Sequence, residues 1–330
     1  MVGLALLVAM GITYQSVTSR ADARRYDAPG DLVDIGPAEL HLYCTGEGTP
    51  TVVLEAGATG FAQSWAWIQQ EVSAHTRTCS YDRAGLGWSE DGSAGHDGLS
   101  IARNLNVLLA RAGEPRPYVL VGHSMGGAFV RIFADAYPEQ VAGLVLLDPV
   151  HEDQLDRYPP EMQKHLREFA RRVRLAPRLA RIGVLRATNL IGRKADGLPE
   201  EAFGTARMFG SSPKHLRTSA DELAAWESTM AATRTDTTFE KEALLVVSAA
   251  APRKDVSKTA LATKLEMHHE LATLSPLGRH VLLEDADHFS LLTDQNDAAR
   301  VSSYLRELVD EVRAEPEATT IPEISDIDSK

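Results

Sequence analysis

The feature that most constrains this chain is the pentapeptide Gly122-His123-Ser124-Met125-Gly126, set between two apolar segments. Tyr118–Val121 reads as a strand and ends directly before it. Gly126–Tyr137 reads as a helix and begins directly after it, stopped by Pro138. A strand that turns sharply into a helix at a serine leaves no room for side chains two residues either side, so glycine is required there. The turn holds the serine in a strained conformation above a sheet edge and at a helix N-terminus, where the dipole favours developing negative charge. Ser124 is therefore the candidate nucleophile.

Continuous apolar strands alternating with helices predict a parallel sheet covered on both faces. Short β-rich runs fall at Leu32–Ile35, Glu39–Tyr43, Thr51–Glu55 and Thr78–Tyr81, with a helical stretch at Ser64–His75. A helix at Ser100–Ala112 precedes the Tyr118 strand, and Val141–Leu147 follows the serine helix. Alternation then stops. From about 151 to 238 only helical patterns appear, and alternation resumes with the strand Ala243–Ser248, a helix around Lys258–Leu274, the strand His280–Leu283 and a helix Asp297–Arg313. The expected organisation is an N-terminal apolar segment (1–30), a core in two parts (31–150 and 239–314), a helical lid (151–238) and an acidic tail (315–330) of disordered composition.

Serine is weakly nucleophilic near neutral pH and needs a base. Of eleven histidines, His288 is the best placed, after the last strand and before the last helix. His151, just past a strand end, is its rival. His123 sits inside the elbow and is read as pointing elsewhere, and His268 and His269 read as helix-surface residues. The base needs a carboxylate to fix its tautomer. Asp148 closes the strand Val141–Leu147, at the edge where catalytic groups gather in open α/β sheets. Asp255 lies beyond the following strand. Asp148 is favoured and Asp255 stays open as the alternative, with Asp153 a lesser option. Two backbone N–H groups are needed for an oxyanion: Met125, after the serine, and Ala58, in the loop Gly57-Ala58-Thr59-Gly60.

A net charge of -12 argues against a nucleic-acid partner. The lid is nevertheless locally basic, with ten Lys and Arg between Lys164 and Lys194, which reads as a solvated face or as attraction to an anionic substrate or membrane. Val2–Ile12 is a nearly unbroken apolar run, short for a membrane span but long enough for an export signal or an anchor, so membrane association through this segment is one expectation and a plain N-terminal helix the other. Cys44 and Cys79 lack the spacing of a structural zinc site and read, by composition alone, as free thiols. No metal is expected from these spacings.

The chain resembles the α/β-hydrolase superfamily, in its capped, esterase- or lactonase-like serine branch, from about Asp31 to Arg313. The resemblance rests on Glu55-Ala56-Gly57, on Tyr81-Asp82-Arg83-Ala84-Gly85-Leu86-Gly87-Trp88-Ser89, on the elbow at Ser124 and on Asp287-His288-Phe289. Ala56-Gly57 stands where many members carry His-Gly; the oxyanion donor, being backbone, should survive. The resemblance implies an α/β fold with eight mostly parallel strands, a helical lid inserted after the sixth, and acyl transfer from a carboxylic ester or lactone, with no cofactor. An amidase or peptidase using the same residues is the close alternative, and a non-catalytic ligand-binding protein on this scaffold the remote one. Lid residues Phe203, Met208, Phe209, Trp226 and Met230 are candidates for an apolar substrate pocket. In that fold the strands carrying Cys44 and Cys79 are antiparallel neighbours, which brings the two within reach of a disulfide. Oligomeric state is not readable.

Overall fold

The computed structural model describes residues 2–92, 95–235, 238–253 and 256–314. Eight strands form one sheet: β1 (Asp31–Asp34), β2 (Glu39–Thr45), β3 (Thr51–Glu55), β4 (Thr78–Tyr81), β5 (Tyr118–His123), β6 (Val141–Leu147), β7 (Ala243–Ala249) and β8 (Arg279–Leu283). Their order is β1-β2-β4-β3-β5-β6-β7-β8. The pairs β1–β2 and β2–β4 are antiparallel, and the rest are parallel. This is the α/β-hydrolase architecture that the resemblance implies.

The thirteen described helices are α1 (Val2–Arg25), α2 (Ala66–Val72), α3 (Gly98–Ala112), α4 (Met125–Ala136), α5 (Gln154–Arg157), α6 (Pro160–Arg181), α7 (Val184–Thr188), α8 (Glu200–Phe209), α9 (Pro213–Ala224), α10 (Trp226–Thr233), α11 (Lys258–Ala272), α12 (Ser290–Thr293) and α13 (Gln295–Ala314). Successive strand residues point to opposite faces, so the central strands feed two separate cores. Val53, Leu120, Leu144 and Val246 pack beneath Leu105 and Leu109 of α3 and Phe133 of α4. Val52, Val121, Val145 and Val247 pack against Ile68 of α2 and Leu305 and Leu308 of α13. Being apolar on both faces, these strands show no alternation in sequence. Helix boundaries follow local chemistry: Asp97 caps α3 by accepting from Ser100 N at 3.1 Å, and Gly113, at φ 70°, ends it.

The helical insertion follows β6 and comprises α5 to α10, with no strand among the described residues from 151 to 238. The helix expected at Ser64–His75 is shorter. A 3-10 turn, Ala62–Trp65, precedes α2, because Asp82 Oδ1 accepts from Ala62 N at 2.7 Å and Ser64 Oγ from Phe61 N at 3.2 Å. The apolar N-terminal run continues as one helix to Arg25. Cys44 and Cys79 are bonded rather than free; they face each other directly in the β2–β4 register. The tail 315–330 lies outside the described residues.

Candidate active site

Ser124 sits between β5 and α4 at φ 55° and ψ -120°, a conformation costing a non-glycine residue roughly 1–3 kcal/mol. The surroundings enforce it. Ser124 N donates to Leu147 O at 2.9 Å, and Ser124 O accepts from Gly127 N at 3.0 Å and Val150 N at 3.1 Å. A side chain at Gly122 would overlap the Gly126 carbonyl, and one at Gly126 would overlap the Glu55 carbonyl. The two glycines are thus demanded by contact between the turn and its neighbours.

Asp148 and His288, 140 residues apart in the chain, meet at the carboxyl ends of β6 and β8. His288 Nδ1 lies 2.7 Å from Asp148 Oδ2. The other carboxylate oxygen accepts from Ala249 N at 3.0 Å and from Lys264 Nζ at 2.9 Å. Lys264 also donates to the Ala249 carbonyl at 2.6 Å. Burial alone would raise the Asp148 carboxyl, but the Lys264 ammonium and the His288 hydrogen bond hold it well below the usual carboxylate range. Asp148 itself has φ 41°; with Ser124 and Thr59 (φ 63°) it makes three strained non-glycine residues around one place.

Asp255 lies outside the described residues. Asp153 is engaged at the surface by Arg234 at 2.7 Å. His151 is buried and its Nδ1 accepts from Asp153 N at 3.1 Å, so it supports a turn. Two histidines differ from their sequence reading. His123 does not point away from the site: its Nε2 donates to the His288 carbonyl at 2.8 Å, and the two rings lie 4.5 Å apart. Burial, with help from the neighbouring His288, pushes His123 down to about 3, so it stays neutral. His268 is buried rather than on the helix surface. Its Nε2 donates to Pro149 O at 2.8 Å and its Nδ1 accepts from Ser248 Oγ at 2.6 Å, and this full pairing is what permits a histidine on the inward face of α11.

The loop after β3 lies against the serine. A side chain on Gly57 would come within 3.0 Å of Ser124 Cβ. Ala58 packs with Met125 and Phe129 of α4 and with Leu223 and Trp226 of the insertion. Arg83 fixes the loop from behind: it donates to the carbonyls of Ala56 at 2.7 Å and Gly57 at 3.1 Å, to Glu55 at 2.6 Å, and bidentately to Glu222 of α9 at 2.7 and 2.8 Å. In a trans peptide the N–H opposes the C=O. With Gly57 O held toward Arg83, the Ala58 N–H points to the other side. His215 Nε2 donates to Thr59 O at 3.1 Å, a second fastening.

Phe209 of the insertion packs edge-on against Phe61 at 5.1 Å and Trp88 at 4.9 Å, with Met208 beside them. Phe209, Met208 and Trp226 are thus gathered around the loop that carries Ala58. Phe203 instead lies half-buried over the Arg207 guanidinium, and Met230 is buried within α10. A groove of about 360 Å³ lies between Lys194, Asp196 and Gly197 of the insertion and Asp287, Phe289 and Ser290, the chain neighbours of His288. Among the described residues, Cys44, Cys79 and Glu114 converge as metal ligands would, but the sulfurs are bonded to each other and Glu114 is held by Arg77 at 2.8 Å. Lys264, Glu222 and the role of His123 escaped sequence reading; only Arg83, through its motif, carried a local signal.

The sequence profile of the alpha/beta hydrolase fold family matches residues 50–295, and the chain belongs to that family. An uncharacterised protein of Schizosaccharomyces pombe is 30% identical over 160 residues, which are 38% of this chain and 30% of that one. The chain spans half or less of the length of the curated relatives it matches, 20% to 50% among four of them. A thermophilic esterase from Thermogutta terrifontis superposes with a TM-score of 0.59 at 24% identity, covering 83% of this chain and 94% of the esterase. An enol-lactonase from Burkholderia xenovorans LB400 gives 0.59 at 20% identity over 86% and 99%. The epoxide hydrolase CorEH gives 0.66 at 16% identity over 86% and 98%. At these identities the likeness shows the fold alone.

Proposed function

We infer that the chain is a serine hydrolase that cleaves a small carboxylic ester or lactone by two-step acyl transfer. The observation that carries this reading is the Asp148–His288 hydrogen bond at 2.7 Å, together with a serine held at φ 55° next in the chain to His123, which bonds the His288 carbonyl. Asp148 occupies Nδ1, which leaves Nε2 of His288 to take the Ser124 proton as Oγ attacks the carbonyl. The N–H groups of Met125 and Ala58 hold the oxyanion. His288 then protonates the leaving alcohol and activates water for deacylation. Residues 151–238 act as a lid, and the aromatic group around Phe209 favours an apolar acyl or alcohol part. We also propose that α1, 24 residues long with its apolar half exposed, sits at a membrane.

The test is a matched pair of substrates, p-nitrophenyl butyrate and butyryl p-nitroanilide. The ester should be turned over with the anilide at least a hundredfold slower. Faster anilide cleavage would replace the ester reading with an amidase, and failure on both esters and lactones would remove it.

A further inference from the structure

The N-terminal helix α1 docks on the protein through polar groups, while its long apolar N-terminal half stays exposed. A surface helix normally buries its apolar stripe. Here the side turned to the protein is Gly11, Gln15, Ser19 and Asp22, at helical spacing, and it is polar. Gln15 Nε2 donates to Ser211 O at 2.9 Å. Arg186 donates to Gln15 Oε1 at 3.1 Å, to Ser19 Oγ at 3.3 Å and to Asp22. Gly11 lies so close to the Ile182 carbonyl that no side chain fits. Ile12 and Val17 face outward, among Thr13, Ser16 and Arg20, and every residue of the apolar stretch from Val2 to Met10 is exposed. Polar groups toward protein and apolar groups outward is the arrangement a lipid environment selects.

The element that α1 docks on continues this surface. Helix α6 turns Val173, Ala176 and Ala180 inward. Its outer face carries Arg171, Arg174 and Arg178 with Leu175 and Leu179, both at least 40% exposed. The helix holds seven basic and two acidic residues in a chain of net charge -12. Arginines flanking exposed leucines on one helix face are what an interfacial helix presents to anionic headgroups.

Resting on the placement of α1 at a membrane, we propose that the outer face of α6 is a docking surface for an anionic lipid bilayer. The lid then lies on the membrane and the candidate site behind it is supplied from the lipid phase. The connection to the site is short. Ser211, which α1 grips, is two residues from Phe209 in the aromatic wall, and Tyr26, just past α1, packs against Gly204 of α8. The substrate class that fits is an apolar ester partitioned into membranes.

Full-length protein is floated with phosphatidylcholine vesicles, with and without 30% phosphatidylglycerol. Separately, single thiols at Leu179→Cys and Leu277→Cys carry an environment-sensitive dye read against a lipid-borne quencher. Leu277 lies before β8, at the sheet edge opposite the insertion. Binding should favour the anionic vesicles, and lipid should quench the Leu179 dye and spare the Leu277 dye. Arg171→Gln/Arg174→Gln/Arg178→Gln should weaken anionic-vesicle binding on the order of a hundredfold, at about fivefold per arginine, while turnover of a soluble ester stays unchanged. No binding to either vesicle overturns the membrane placement of α1. Binding with an unquenched Leu179 dye, or unaffected by the triple substitution, overturns the α6 surface while leaving α1 an anchor.

Discussion

Glu222→Ala should destabilise the protein far more than an ordinary substitution in the helical insertion. Arg83, Glu55 and Glu222 are all almost completely buried, so one cation is shared by two carboxylates out of contact with water. Removing Glu222 deletes two of the five hydrogen bonds that Arg83 makes, those at 2.7 and 2.8 Å, and leaves the contacts to Glu55, Ala56 and Gly57. Charge-assisted hydrogen bonds contribute about 1.5–3 kcal/mol each. Relief of the repulsion between Glu222 and Glu55, whose carboxyl is raised by burial against the pull of Arg83, offsets part of that. A net loss of about 3 kcal/mol remains, inside the usual range for breaking a buried pair. For a chain of this size it corresponds to a Tm lower by roughly 4 °C. Urea unfolding should give the same figure from the midpoint at unchanged m-value. Arg83→Met strands two carboxylates and should cost more. Arg83→Met/Glu222→Met should cost clearly less than the sum of its singles. A loss below 1 kcal/mol for Glu222→Ala, or strict additivity in the cycle, would refute the reasoning that this cluster fastens the insertion to the loop bearing Ala58.

Asp148→Asn should lower kcat by about four orders of magnitude with little change in KM, because the imidazole loses the partner that sets its tautomer; near wild-type turnover would move the acid to another residue. Acid should destabilise the fold well above the carboxylate range: burial pushes His215 and His268 down to about 4 and His123 to about 3. Their stabilising effect is full above the unfolded value near 6.5 and is lost as pH falls toward the folded values, at about 1.4 kcal/mol per histidine by pH 5.5; equal urea midpoints at pH 7.5 and 5.5 would contradict this. Thiol titration of denatured, unreduced protein from an oxidising compartment should find none, since Cys44 and Cys79 are bonded, and two titratable thiols would show the bond absent.

The parts of this molecule legible in sequence are those where one local requirement dominates. The elbow needs glycine at 122 and 126 because the turn itself collides with anything larger. The central strands had to be apolar throughout because helices cover both sides. Its place at the end of β6 favours Asp148 over Asp255 in sequence, but the pairing with His288 is a relation between β6 and β8 that no local pattern encodes. Lys264 and Glu222 were invisible for the same reason, since their partners lie 116 and 139 residues away. His268 misled because α11 mixes polar and apolar residues on its buried side, and a histidine there is tolerated only through hydrogen bonds from Ser248 and to Pro149. That α1 docks through Gln15, Ser19 and Asp22 and leaves its apolar N-terminal half exposed is visible only once its docked face is known.

Ser124 is the residue the proposed acyl transfer needs most directly. Full-length protein treated with a fluorophosphonate should be labelled stoichiometrically at Ser124, found by peptide mapping, with loss of ester turnover in proportion. Ser124→Ala should take no label, retain the wild-type unfolding transition within about 1 kcal/mol, and lose turnover by several orders of magnitude. Label found on another residue, or undiminished turnover in Ser124→Ala, would contradict it.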